Sequence, residues 1–357
     1  MKNLSTGLLA LSALLALNSC VSTTTLEPEP AEKGKTSLVF NLLPDEEAAT
    51  RADNHDGYKL RYIATLYSGR ATNITQSVTP QRKEIIDGEI SSLGNKNQLI
   101  FDVDRDNYYT LIVFADYIPS DYKYNEEKGG YDDYFFNTTD FGREVIQMLS
   151  YPGDKNSLKD NKIIELSPDF FNNDNYDCFG GVAVTPYPKT EEKIELNLQL
   201  YRMVAKVRFE DITEMSGKLD VVINGLTYYS RFSLRENADD ASAYADVSIN
   251  TTNVKLSTNK DFKGEEKQEI FYFYTFASSD KSQTPKINFT LTDSKGENKD
   301  IDVKVIPVKR NQITTVRGYL FPGYIPPEEP GDGPLILNTS HVDPESWSND
   351  TSLWPSN

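Results

Sequence analysis

His55 and His341 are the only histidines in the chain, and both stand among Asn, Asp and Ser in segments that read as loops. A Ser-His-Asp relay or a multi-histidine metal centre needs an imidazole held among fixed partners, and each of these reads instead as a solvated loop residue. The 54 carboxylates are the more plentiful chemistry. Asp102-Val103-Asp104-Arg105-Asp106 opens like a calcium loop, but Asn107 stands where the turn glycine belongs and Val113 where the closing glutamate belongs. It reads as a charged strand end and turn. Glu126-Glu127 with Asp132-Asp133, and Asp169 with Asp174 and Asp177, could hold a weak cation; such runs are first of all solvated loops. Two acids hydrolyse a glycosidic bond only at a fixed separation, which spacing along the chain does not supply. Gly34-Lys35-Thr36 imitates the end of a phosphate loop, yet Glu29 occupies the place of its first glycine. No residue is assigned a catalytic, cofactor-binding or metal-binding role, no cofactor is implied, and the chain reads as a non-enzyme.

Two positions invite covalent chemistry of another kind. Behind Lys2, residues 8–17 form an apolar and small-residue stretch too short to span a bilayer, ending in Leu17-Asn18-Ser19-Cys20. That is a lipoprotein signal peptide over residues 1–19, with small Ser19 beside the cleavage point. Cleavage leaves Cys20 first, its thiol bearing diacylglycerol, and at about 0.8 kcal/mol per buried methylene several acyl chains anchor it durably. The partner is outer-membrane lipid. Residues 20–35 are mostly Ser, Thr, Glu, Pro and Gly and read as a flexible tether. Cys178 is the only other cysteine, so no intrachain disulfide is expected once Cys20 is lipidated.

The second position is Arg51-Ala52, within Ala48-Ala49-Thr50-Arg51-Ala52-Asp53. This polar segment joins an apolar run at 37–43, read as an edge strand, to the next strand at Tyr58. An arginine-specific protease could reach it there. Loss of the upstream strand would open a groove with unpaired backbone groups that another subunit's strand could fill. Residue physics alone favours an ordinary loop arginine, like Arg70. Tyr122-Lys123-Tyr124, Tyr131, Tyr134-Phe135-Phe136 and Tyr151 could stack on sugar, but packing against the first sandwich is the favoured role.

The elements that must position these residues are strands. Apolar residues alternate with period two in Leu38-Phe40-Leu42, Tyr58-Leu60-Tyr62-Ala64-Leu66 and Ile194-Leu196-Leu198-Leu200, and 21 Tyr with 17 Phe favour strands further. The parity shifts near Tyr201-Arg202, since Met203, Ala205, Val207 and Phe209 are odd-numbered; a bulge or bend there would pass the chain from one sheet to another. One short helix is expected after Thr138-Thr139-Asp140, with Phe141, Val145, Ile146, Met148 and Leu149 as its apolar stripe. A net charge of -17 argues against a nucleic-acid partner.

Several stretches resemble the fimbrillin-like lipoproteins of Bacteroidales, which supply the stalks, tips and anchors of type V pili. The lipobox and Thr50-Arg51-Ala52 resemble their precursor layout, Arg202-Met203-Val204-Ala205-Lys206-Val207 the strand opening their second domain, and residues 309–318 (KRNQITTVRG) a late Arg-Asn-x-x-Thr strand. Val113-Phe114-Ala115-Asp116-Tyr117 and Asp177-Cys178-Phe179-Gly180-Gly181 are similar to a Bacteroides lipoprotein subgroup of undefined role. The resemblance implies an all-β chain of two tandem transthyretin-like β-sandwich domains, at 36–190 and 191–321, then a Pro-rich linker and tail at 322–357. It implies cleavage at Arg51 and donor-strand assembly, with other fimbrial subunits or itself as partner, on the cell surface. A surface lipoprotein that does not polymerise and binds glycan or host protein is the alternative. The tail has one short apolar run, Leu335-Ile336-Leu337, and is otherwise largely Asn, Ser and Asp.

Overall fold

The computed structural model describes residues 34–43, 55–69, 80–86, 98–105, 107–138, 145–153, 166–186, 191–234, 247–250, 253–256, 261–265, 267–277, 284–324 and 341–346. In the first half the strands are β1 (Lys35–Leu43), β2 (Tyr58–Ser68), β3 (Gln81–Ile86), β4 (Gln98–Asp104), β5 (Tyr109–Pro119), β6 (Phe136–Asn137), β7 (Val145–Met148), β8 (Cys178–Val184), β9 (Lys193–Gln199) and β10 (Tyr201–Arg202). The second half continues with β11 (Val204–Asp211), β12 (Ser216–Tyr229), β13 (Arg231–Ser233), β14 (Val247–Asn250), β15 (Val254–Leu256), β16 (Asp261–Lys263) and β17 (Gln268–Phe276). It ends with β18 (Lys286–Asp293), β19 (Asn298–Val303), β20 (Gln312–Gly318) and β21 (His341–Ser346).

The first sandwich packs a sheet of order β4-β1-β9 against one of order β10-β8-β5-β2-β3. Alternation sets its core: Leu38, Phe40 and Leu42 of β1 meet Tyr62, Ala64 and Leu66 of β2 and Leu111, Val113 and Ala115 of β5. The other face of the five-stranded sheet is buried too, because Ile63, Tyr67, Ile112 and Phe114 join the larger core. That is why β5 reads as a nearly continuous apolar run.

The second sandwich packs β17-β11-β20-β21 against β14-β12-β18-β19, with β15 and β16 also on β12. Its centre is a ring cluster in which Phe209 stacks on Phe271 at 4.7 Å, and Phe289 meets both edge-on at 5.2 and 5.1 Å. In each half a parallel pair, β1 with β9 and β11 with β20, lies inside an otherwise antiparallel arrangement.

The expectation of a helix changes. The predicted helix is a strand over its described part: β7 pairs with β6 and with β13, and residues 139–144 lie outside the described residues. The apolar residues there fit either period, and backbone partners on both sides decide for strand. Among the described residues the helical turns are 3-10 turns at Pro168–Phe170 and Asp174–Tyr176. β9, which a boundary at 190 and 191 would assign to the second domain, pairs with β1. The chain then lays β10 on β8 and enters the second sandwich as β11, so the parity shift at Tyr201-Arg202 does mark a passage between sheets.

Because β13 belongs to the second half and β7 to the first, the small sheet β13-β7-β6 spans both. Phe135, Phe136, Phe170, Tyr176, Met203, Phe232 and Phe276 fill the seam in one continuous core. Full burial of each such side chain contributes about 1.5–3 kcal/mol, so the halves form one cooperative body rather than two beads on a linker.

Candidate functional site

Cys20, Arg51 and Ala52 lie outside the described residues. The strand upstream of Arg51 is described, and it is not an edge strand. β1 pairs antiparallel with β4, from Lys35 opposite Asp104 to Asn41 opposite Gln98, and parallel with β9, from Ser37 opposite Lys193 to Leu43 opposite Gln199. Leu38 and Phe40 are fully buried. Two polar side chains of β1 find partners on the neighbouring strands. Ser37 donates to Asp102 at 2.6 Å, and Asn41 bonds Asn197 and Gln98.

The histidines and carboxylates are placed as follows. His55 is half-buried, stacked on Tyr117 at 3.7 Å, with Nδ1 2.8 Å from Asn175 Oδ1; it packs rather than standing in solvent. His341 opens β21 and is not in a loop. Asp102 and Asp104 belong to β4, away from any calcium-loop geometry. Asp132 bonds Lys128 at 2.7 Å. Asp174 accepts from Lys206 Nζ at 2.9 Å and Tyr274 Oη at 2.7 Å. Burial works to raise the Asp174 carboxyl, but Lys206 and the hydroxyls of Tyr274 and Tyr272 outweigh it and hold it below the usual carboxylate range. Asp102, Asp132 and Asp174 thus meet protein partners.

Three of the motif segments converge at one point. Arg202 donates through Nε to Asp177 and through Nη1 to Asn311, so the second-domain opening strand, the Asp177-to-Gly181 segment and the late Arg310-Asn311 turn are tied together. Gly180 and Gly181 let β9 and β10 cross close over β8. A Cβ on Gly181 would lie 2.5 Å from the carbonyl oxygen of Gln199, and one on Gly180 would lie 2.5 Å from Met203 Sδ.

A buried ionic cluster was not legible in the sequence. Arg61, fully enclosed on β2, donates to both Asp116 oxygens at 2.9 and 2.8 Å and to Asp133 at 3.2 Å, with Glu84 3.7 Å away. Asp133 in turn accepts from the backbone and hydroxyl of Thr138, and Glu84 from the backbone of Tyr131. The cluster therefore clamps the segment 131–138 onto the sheet. Burial opposes the Arg61 charge, but Asp116, Asp133 and Glu84 prevail and raise its pKa. Burial pushes Asp116 up to about 6 against the pull of Arg61, and Asp133 and Glu84 add to the rise. The available signal was Arg61 within a strand whose later residues, Tyr62-Ile63-Ala64, are apolar.

Of the aromatic residues, Phe135 and Phe136 are fully buried, as the packing reading expected. Tyr58 and Tyr134 instead line a cleft of about 340 Å³ together with Pro152, Pro168, Asp169 and Asn172. Their rings lie 6.1 Å apart, and Tyr122 meets Tyr134 edge-on at 5.8 Å. Burial raises the Tyr58 phenol, with Tyr134 and Asp169 adding to it.

Two sandwiches fused along a shared aromatic seam define an all-β protein. Residues 28–325 match the model of a family of unknown function (DUF6562), and the chain belongs to that family. No curated protein matches it. Among solved structures it is similar to a fimbrial assembly protein from Parabacteroides distasonis, at 12% identity and a TM-score of 0.42 over 80% of this chain and 90% of that one. It is also similar to the tip fimbrial protein Mfa3 from Porphyromonas gingivalis with C-terminal truncation, at 13% identity and a TM-score of 0.37 over 81% and 96% of the two chains.

Proposed function

We propose that this protein is a fimbrillin-like structural and adhesive lipoprotein of the cell surface, anchored in the outer membrane through Cys20 and matured by cleavage between Arg51 and Ala52. The observation that carries the reading is β1. It is an apolar strand hydrogen-bonded on both sides, and the cleavage segment follows directly after it. Its removal would leave β4 and β9 with facing unpaired edges and a groove lined by Leu99, Phe101, Ile194 and Leu198, a fitting receptor for a neighbouring subunit's strand. N-terminal sequencing of protein shed from cells tests this. A start at Ala52 is expected, and shed protein that still begins at the acylated Cys20 counts against maturation. Labelled fatty acid incorporated equally into wild type and Cys20→Ala would remove the anchor.

A second reading, a surface lipoprotein that stays single and binds glycan or host protein, is favoured by the same strand's central position. Two neighbours must release β1, where an edge strand would have one. Ladders of boiling-sensitive oligomers on cells separate the two readings, since only the first produces them.

A further inference from the structure

We propose that the cleft between Tyr134 and Asp169 binds a neutral saccharide, which gives the adhesive reading above, on which it rests, a ligand class and a place. The cleft, at about 340 Å³, is at the small end of ligand pockets, which run about 300–1,000 Å³, and suits a short sugar better than a peptide. Several lining residues are held in place. Tyr134 is held by the backbone bond from Gly153 N to its carbonyl at 2.9 Å and by edge contact with Phe135 at 4.7 Å. Asn172, also in the lining, sits at φ 55° and exchanges two bonds with Tyr272, its N donating to Tyr272 O and its Oδ1 accepting from Tyr272 N, each at 3.0 Å. The Asn173 amide is likewise used internally, on Asp169 O and Asn175 N.

That leaves Asp169 as the lining carboxylate available to a ligand. Its side chain is exposed, and among the described residues its carboxylate has no hydrogen-bond partner. An ionised carboxylate accepts from two adjacent hydroxyls, and tyrosine presents an apolar face with a polar tip to the C–H face and rim of a pyranose. Charge selects against other ligands. No Lys, Arg or His is among the lining residues, and the chain carries a net charge of -17, so an anionic sugar would meet repulsion. A cation would need several oxygen ligands where this cleft has one carboxylate. A peptide added to a sheet needs a strand edge, and these walls are turns and rings.

Saturation-transfer NMR on the full chain, held in a non-glycosidic detergent, tests the proposal with mannohexaose, xylohexaose, cellohexaose, N-acetylchitohexaose and, as the anionic probe, trigalacturonate. At least one neutral oligosaccharide is expected to bind, and trigalacturonate is not. Asp169→Asn, at an exposed position, should keep the fold and weaken that binding about tenfold, the effect of one charge-assisted hydrogen bond. Tyr134→Ala should weaken it further, and if that variant fails to fold, Asp169→Asn decides alone. Silence from every neutral probe, equal binding of trigalacturonate, or binding unchanged in Asp169→Asn would each overturn the proposal. Oligomer formation after arginine-specific proteolysis, measured on the same samples, keeps the two ideas apart: its absence beside intact sugar binding removes assembly alone, and the reverse removes the cleft alone.

Discussion

Arg202 donates its Nε hydrogen to both carboxylate oxygens of Asp177, each at 2.9 Å, with the two side chains only 3% and 8% exposed. Removing one member of such a pair strands the other charge in a dry site, which typically costs about 3–5 kcal/mol. Arg202→Ala should therefore lower the melting temperature by on the order of 10 °C, because Asn311 loses its partner as well. Arg202→Lys should recover little, since an ammonium cannot reach both Asp177 and Asn311 in the guanidinium's fixed geometry. A melting temperature for Arg202→Ala within about 2 °C of wild type would show that the pair is not what joins the halves.

The Arg61 cluster makes a pH-dependent prediction. The Asp116 carboxyl rises from 3.8 when free to about 6 in the fold, burial being the largest cause. A carboxyl raised on folding contributes stability that is complete below its unfolded pKa and lost as pH climbs through its folded pKa. The stability of wild type relative to Asp116→Asn should accordingly fall by up to about 3 kcal/mol between pH 4 and pH 7. Denaturant titrations of both proteins across that range provide the check. A gap that widens with pH would mean that attraction to Arg61 outweighs desolvation.

Gly181 offers a sharper steric test. It pairs with Val113 on β5 while Gln199 of β9 passes directly over it, and an added Cβ would sit 2.5 Å from that backbone oxygen. Backbone cannot swing aside as a flexible side chain can, so Gly181→Ala should destabilise by about 1–3 kcal/mol. Gly296→Ala is the control for introducing a Cβ at a glycine, for nothing lies within 4 Å of its added methyl and its strain is that of φ 82° alone. Equal losses at the two positions would remove the crossing argument.

The all-β architecture was legible because period-two alternation is a local property: Leu38-Phe40-Leu42 and Ile194-Leu196-Leu198 already show which face each strand buries. The passage between sheets at Met203 was legible for the same reason. What the sequence withheld was partnership. Nothing in residues 37–43 distinguishes an edge strand from a central one, since that depends on β9, more than 150 positions away. The stretch at 145–149 satisfies a helical stripe as well as a strand, and only the hydrogen bonds from β6 and β13 resolve it. The carboxylates of Asp133, Asp174 and Asp177 looked like solvated runs because their cationic partners, Arg61, Lys206 and Arg202, are remote in sequence. Asp169, from the same acidic stretch, is the one left lining a cleft.

The last prediction joins Arg51 to assembly. β1 holds Leu38, Phe40 and Leu42 in the first core, and at about 25 cal/mol per Å² of buried apolar surface, with ladders to β4 and β9, cutting the chain after Arg51 should leave it seated. A competing strand must replace both ladders. The tail is the candidate, and its position favours exchange: among the described residues β21 pairs with β20 alone, so one ladder holds it where two hold β1. The tail of one subunit is thus the more easily released strand, and the β1 groove of the next is the deeper receptor. Arg51→Ala should remain folded, lipidated and single. Wild type treated with an arginine-specific protease should keep its β1 fragment at first, then form oligomers as tails displace it, slowly and faster on warming. Deletion of residues 331–357 should abolish oligomers while the melting transition of the two sandwiches persists. Size-exclusion chromatography of the three forms, with mass spectrometry for the retained fragment, is the measurement. Protease-treated wild type that stays single after β1 has left would remove strand exchange and leave the non-polymerising surface lipoprotein as the function of this fold.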